Sequence, residues 1–105
     1  MKSRSYDSFF ANFSNGTRLA IILCLKEKAL SVGEIVEKVG GEQSNVSHHL
    51  EHLRRCKILN VEKKGKKRIY SLNKKTVMPM LRLVEKHVCN NCESCPMGCG
   101  SYAGG

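Results

Sequence analysis

Four cysteines crowd the C-terminal end of the chain: Cys89, Cys92, Cys95 and Cys99, spaced Cys-x2-Cys-x2-Cys-x3-Cys with polar and glycine residues between them. Thiolates two residues apart converge on one soft ion without large backbone strain, and Asn91, Gly98 and Gly100 let the chain wrap it. Three kinds of ion compete for such a run. The spacing matches that of bacterial-type iron–sulfur segments, but those place a proline after the fourth cysteine, whereas Pro96 follows the third. A mononuclear zinc site usually separates two Cys-x2-Cys knuckles by a longer segment. Trigonal or tetrahedral capture of arsenite, antimonite, cadmium or lead accepts the flexible geometry of one tight run. Thiol redox sensing draws on the same side chains.

The second chemical feature is cationic. Residues 54–68 contain eight basic side chains and one acid, Glu62, which supplies +7 of the chain's net +9. Lys63, Lys64, Lys66, Lys67 and Arg68 surround Gly65, a pattern that suits phosphate neutralisation beside a duplex, while solvated charge is the plain alternative. Just upstream, Val46, Leu50 and Leu53 recur at i, i+4 and i+7 and give a helix one dry face. Gln43, Ser44, Asn45, Ser47 and His48, with Arg54 and Arg55 at the far end, then occupy its hydrogen-bonding side, where short donors and acceptors can reach base edges. Nucleic acid is accordingly the first partner to consider. His48 and His52 stand at i, i+4 and could share a metal, and His87 lies one turn from Cys89. For Cys24 and Cys56, packing as small buried residues is the simpler role.

These side chains need a frame, and 105 residues with 41% apolar content allow one compact domain with a core. The longest unbroken apolar run, residues 19–25, is too short to cross a bilayer, and no signal-peptide core follows the basic start, so a cytosolic compartment is expected. Six cysteines in that compartment point to metal or redox chemistry rather than disulfides, and the glycosylation sequons at Asn12, Asn15 and Asn45 are then chance. No nucleophile with a paired base, phosphate-cradling glycine loop or carboxylate pair stands out, so the chain is not expected to be an enzyme. Tyr6, Phe9, Phe10 and Phe13 form one aromatic stripe on a first helix, and a second helix after Gly16 is apolar nearly all round and therefore central. Ser31 and Glu34 make a capping box for a two-turn helix that stops at Gly40-Gly41. Strands at residues 58–61 and 68–72 flank a cationic loop over residues 62–67, and a last helix begins near Thr76 with Val77, Met80, Leu81, Val84 and Val88 on one face. A mainly helical domain of about five helices with a β-hairpin wing results, in the order of a winged helix-turn-helix. Residues 1–88 are expected to form the DNA-binding domain, and residues 89–105 a Cys/Gly-rich tail with its own chemistry.

Four segments carry a family resemblance. They are Asn15-Gly16-Thr17-Arg18-Leu19, Leu30-Ser31-Val32-Gly33-Glu34-Ile35, Gln43-Ser44-Asn45-Val46-Ser47-His48-His49-Leu50 and Arg68-Ile69-Tyr70-Ser71-Leu72. Together they resemble the ArsR/SmtB family of metal-responsive winged-helix repressors, over about residues 9–72. The first is similar to that family's Asp-Pro-Thr-Arg-Leu opening, and the Ser-His-His-Leu helix is the most specific part. The resemblance implies a homodimer with first and last helices packed across the two-fold axis, bound to double-stranded operator DNA of inverted-repeat form and leaving when an inducer binds. It also favours a soft metal or metalloid in the Cys89, Cys92, Cys95 and Cys99 site over an iron–sulfur cluster or zinc. Two departures matter. Cys56-Lys57 stands where the family often has Ala-Gly, which removes the glycine helix stop and offers Lys57 to phosphate, and the helix after Ser31 lacks the Cys-Val-Cys of arsenic-sensing members. The sensor is therefore expected in the tail. A redox- or cluster-sensing regulator is the alternative. From another class come a small iron–sulfur electron carrier that docks through its basic hairpin and a constitutive DNA-binding module with a zinc-stiffened tail.

Overall fold

The computed structural model describes residues 3–91. Among them are five helices and three strands in the order α1 (Ser3–Ser14), α2 (Gly16–Glu27), β1 (Leu30–Ser31), α3 (Val32–Val39), α4 (Gln43–Arg55), β2 (Leu59–Lys64), β3 (Lys67–Leu72) and α5 (Val77–Asn91). They divide into two compact units after Asn73, the first holding α1 to β3 and the second α5.

In the first unit α2 is the hub, with α1, α3, α4 and β3 all packed against it. Asn15 starts it by accepting the Arg18 backbone N–H at 3.0 Å. Ile21, Ile22 and Leu25 are buried, and Ala20 and Leu23 are the exposed positions in its apolar run. The expected capping box is present: Ser31 Oγ accepts from the Glu34 N–H at 3.3 Å while Glu34 Oε1 accepts from the Ser31 N–H at 3.0 Å. Helix α3 then ends at Gly40 (φ +77) and Gly41 (φ +93), a pair of left-handed residues that turns the chain into α4 without strain. Val46, Leu50 and Leu53 of α4 are fully buried, so the i, i+4, i+7 pattern does mark the inner face.

Three details differ from expectation. First, β1 pairs antiparallel with β3, Leu30 opposite Tyr70 and Ser31 opposite Ile69, giving a three-stranded sheet in the order β1-β3-β2. Two residues carry too little periodicity to be read as a strand. Second, the cationic loop over residues 62–67 is mostly ladder: Glu62 pairs with Ile69, Lys63 with Arg68 and Lys64 with Lys67, leaving only Gly65 (φ +64) and Lys66 as the turn. A projecting hairpin buries nothing at its tip, so backbone pairing and one glycine suffice where side-chain hydropathy reads as loop. Third, the aromatic stripe of α1 divides, with Phe9 and Phe13 half-buried while Tyr6 and Phe10 are each 53% exposed. In the second unit the apolar residues of α5 divide likewise. Val77 and Leu81 are buried, and Leu83, Val84 and Val88 are exposed.

The missing glycine after α4 has a direct answer. Lys57 takes the left-handed conformation itself (φ +62). Its N–H bonds the Arg54 carbonyl at 3.0 Å and the Ile58 N–H bonds the Leu53 carbonyl at 3.0 Å, the two-bond pattern of a Schellman stop, with Leu53 and Ile58 both fully buried. Asn73 clamps the turn from outside, donating from Nδ2 to the Lys57 carbonyl at 2.9 Å and from its N–H to the Ile58 carbonyl. A β-carbon in this region costs about 1 kcal/mol. Lys57→Gly is therefore expected to raise stability by about 1 kcal/mol, read as a higher urea midpoint at unchanged slope; a lower midpoint would show that the lysine side chain contributes more than its backbone costs.

Candidate nucleic-acid interface

Helix α4 is held from below by its apolar face and is open above. Gln43, Ser44, Asn45 and His48 are exposed and Ser47 is half-buried, so the side chains expected to reach base edges lie together on the outer N-terminal half. Glu42 precedes the helix without a side-chain cap, which leaves the first-turn N–H groups to other acceptors such as phosphate. Strand β2 packs against α4, and Lys63, Lys64, Lys66, Lys67 and Arg68 are exposed along the hairpin. The ladder sets Lys63 across from Arg68 and Lys64 across from Lys67. Like charges directly opposite each other destabilise a sheet, and a bound polyanion turns that penalty into attraction.

Beneath this surface runs a polar chain that links three helices. Asn12 on α1 is fully buried; its Nδ2 donates to the carbonyls of Ser8 (3.2 Å) and Phe9 (3.1 Å), and its Oδ1 accepts from Arg18 Nη1 at 3.3 Å. The same guanidinium donates from Nε to Nδ1 of His49 on α4 at 3.1 Å. Arg18 thus ties the first helix to α4. Accepting that bond requires His49 Nδ1 to be unprotonated. Burial, with Arg18, His48 and His52 nearby, holds His49 below the ordinary imidazole value, and His52 is lowered by burial, Arg18, His48 and Arg55.

Farther along α4 the basic residues are partly engaged. Arg54 donates to Glu51 from Nε at 3.0 Å and from Nη2 at 2.5 Å, and Arg55 Nε lies 3.6 Å from the same carboxylate. The Arg54 hydrogen bonds hold Glu51 below the usual carboxylate range.

The described thiols stand on different elements. Cys24 on α2 is half-buried, its Sγ donating to the Ile21 carbonyl at 3.2 Å, and burial pushes its pKa up, away from the reactive thiolate. Cys56 and Cys89 are half-buried at the ends of α4 and α5. Because α5 continues to Asn91, Cys89 stands on the helix, while Cys92, Cys95 and Cys99 lie outside the described residues. Among the described residues no three His, Cys, Asp or Glu side chains gather as a metal site, so His48 and His52 gain no third ligand there.

Residues 15–61 match the family described as bacterial regulatory protein, arsR family. Over 76 residues, 72% of this chain and 70% of the relative, the sequence is 34% identical to the transcriptional activator HlyU of Vibrio cholerae. The chain belongs to the arsR family. As an arsR-family member it is a DNA-binding transcriptional regulator and not an enzyme. The transcriptional repressor SdpR of Bacillus subtilis is 31% identical over 67 residues, 64% of this chain and 74% of that one. HlyU structures, one of them of the reduced protein, superpose with TM-scores of 0.72 and 0.71 at 31% identity, covering 83% of this chain and 95% and 92% of theirs. At the level of fold alone, the homodimeric winged helix-turn-helix domain of Mb0332 from Mycobacterium bovis superposes with a TM-score of 0.77 at 19% identity, covering 90% of this chain and 87% of that one. In the arsR-family chain no helix among the described residues is long and apolar enough to cross a membrane.

Sequence reasoning missed Asn12, Arg18, His49 and Glu51 as working parts. Asn12 sits three residues after Phe9 on the helix face that turns inward, and a polar group there requires a partner. That was the available signal. The Arg18–His49 bond makes this arsR-family fold sensitive to acid. A histidine whose folded pKa is lowered contributes stability that is complete above its unfolded value, 6.5, and is lost as the pH falls through the folded value. The urea midpoint is expected to drop between about pH 7.5 and about pH 5.5, spanning the imidazole range, and to drop less in His49→Gln, with His52 supplying the remainder. An identical drop in the variant would remove His49 from this role.

Proposed function

We propose that the chain is a homodimeric repressor that holds inverted-repeat operator DNA and releases it when the thiolates of Cys89, Cys92, Cys95 and Cys99 capture a soft metal or metalloid ion. The like-charged rungs of the hairpin carry the DNA reading: Lys63 opposite Arg68 and Lys64 opposite Lys67 are a cost to the free protein that phosphate relieves. Gln43, Ser44, Asn45, Ser47 and His48 read bases, and Lys63, Lys64, Lys66, Lys67 and Arg68, with Arg55, serve the backbone. The homodimer is supported by the exposed apolar side chains Tyr6 and Phe10 on α1 and Leu83, Val84 and Val88 on α5, and by the homodimeric Mb0332 domain. Residues 1–88 carry binding and dimerisation and residues 89–105 the sensor, all within the cytosol where the genome lies.

Four thiols in one short run are a donor set for arsenite, antimonite, cadmium or lead, and the bound ion supplies the energy that favours one conformation. Cys89 stands near the end of α5, so engaging it together with the tail thiols acts on the helix end. A second reading is thiol redox or iron–sulfur sensing by the same cysteines, and the thiol redox form of it is favoured by the HlyU structure described as reduced.

Three experiments test these assignments. Replacing Lys66 and Lys67 by Gln is expected to make the slope of log affinity against log salt shallower by about 0.9 for each phosphate that is no longer neutralised; an unchanged slope would take the hairpin off the DNA. Cys92→Ser with Cys95→Ser is expected to leave operator binding intact and abolish release by arsenite or cadmium, and release that persists would sink the sensor assignment. Anaerobic purification with iron and acid-labile sulfide analysis tests the cluster form of the second reading. Iron and sulfide present in the wild type and absent from the double variant would establish the second.

A further inference from the structure

A carboxylate in the middle of a phosphate-binding surface needs a reason. Between Gln43 and Leu72 the chain has two acids, Glu51 and Glu62, among eight Lys and Arg. Glu51 does not stand apart from those cations. Two N–H groups of Arg54 end on its two oxygens, Arg55 Nε is 3.6 Å away, and Arg68 on β3 adds a further attraction. The Glu51 and Arg54 side chains are 39% and 37% exposed and that of Arg55 is 74% exposed. Exposed pairs one turn apart stabilise a helix only slightly, so stability is a weak account of this cluster.

We propose that Glu51 is a specificity-determining residue that keeps Arg54 from phosphate and so lowers affinity for DNA of arbitrary sequence. The inference rests on the DNA-binding reading and deepens it. Binding to arbitrary sequence is almost wholly phosphate neutralisation, so each guanidinium withheld weakens it directly. At an operator, base-edge contacts from Gln43, Ser44, Asn45, Ser47 and His48 fix the helix in register, and a guanidinium at its other end cannot choose among phosphates. On random DNA the protein is free to shift until that group can. Withholding it therefore penalises the many competing sites more than the correct one.

The test compares wild type, Glu51→Gln and the double variant Glu51→Gln with Arg54→Gln on a random-sequence duplex and on a duplex selected for wild-type binding, across a salt series. Glu51→Gln is expected to bind the random duplex about 5-fold tighter with a salt slope steeper by about 0.9, the increment of one further neutralised phosphate. Its affinity for the selected duplex should change less, and the double variant should return the slope to the wild-type value. Arg54→Lys, which keeps the charge but cannot fork onto Glu51, is expected to steepen the slope as well and guards against poor folding of the first variant. Equal tightening on both duplexes, no change, or weaker binding by Glu51→Gln would each overturn the role of Glu51 while leaving the DNA reading standing. A wild-type protein from which no bound duplex can be selected would overturn both.

Discussion

Everything on the outer surface of α4 depends on the burial of Val46, Leu50 and Leu53 beneath it. A helix that offers its polar side chains to a partner cannot also use them to hold itself in place. Each such apolar side chain, taken fully out of water, contributes about 1.5–3 kcal/mol, enough to fix the helix before any ligand arrives. The same dry face sets where the helix stops, because Leu53 meets Ile58 across the Lys57 turn and that contact delivers the chain into β2. The outer polar side chains of α4 and the cationic hairpin are thus placed by one apolar seam.

Polar contacts add direction to that seam. Arg18 reaches from α2 toward both Asn12 and His49, so the orientation of α4 is coupled to α1 through hydrogen bonds that only one packing can satisfy. Partly satisfied, such a chain would cost more than an apolar contact; satisfied, it excludes alternatives. Because Asn12 is buried on a helix that also exposes Tyr6 and Phe10, whatever covers those two rings acts close to the start of this chain of bonds.

Much of this was legible in the residues. The i, i+4, i+7 spacing marked the inner face of α4, the Ser31–Glu34 pair marked the start of α3, and Gly40-Gly41 its end. These signals are local, set by the turn of a helix or the freedom of one backbone bond. What stayed hidden was set by distant partners. The pairing of Leu30 with Tyr70 joins residues forty positions apart and has no local signature. The left-handed Lys57 follows from Asn73 and Ile58, whose backbone and side-chain bonds hold a turn that lysine alone would avoid. Lysines on the β2–β3 ladder read as loop because hydropathy reports burial, and nothing is buried there. The surface assignments on α4 were legible by residue type, but the capture of Arg54 by Glu51 was not, since a helix-face pair says nothing about which of its members is meant for another molecule.

Ser31 ends β1 and caps α3 in the same residue, and Val32 is already helical. No linker separates the sheet from the helix pair. A single inserted residue would shift either Ser31 from Ile69 or its hydroxyl from the Glu34 N–H, so tolerance of length change is near zero at this joint. The Gly65–Lys66 turn is different, since residues added there only lengthen a solvent-exposed tip. The chain thus has one place where evolution can alter the reach of the hairpin and another where it can only substitute.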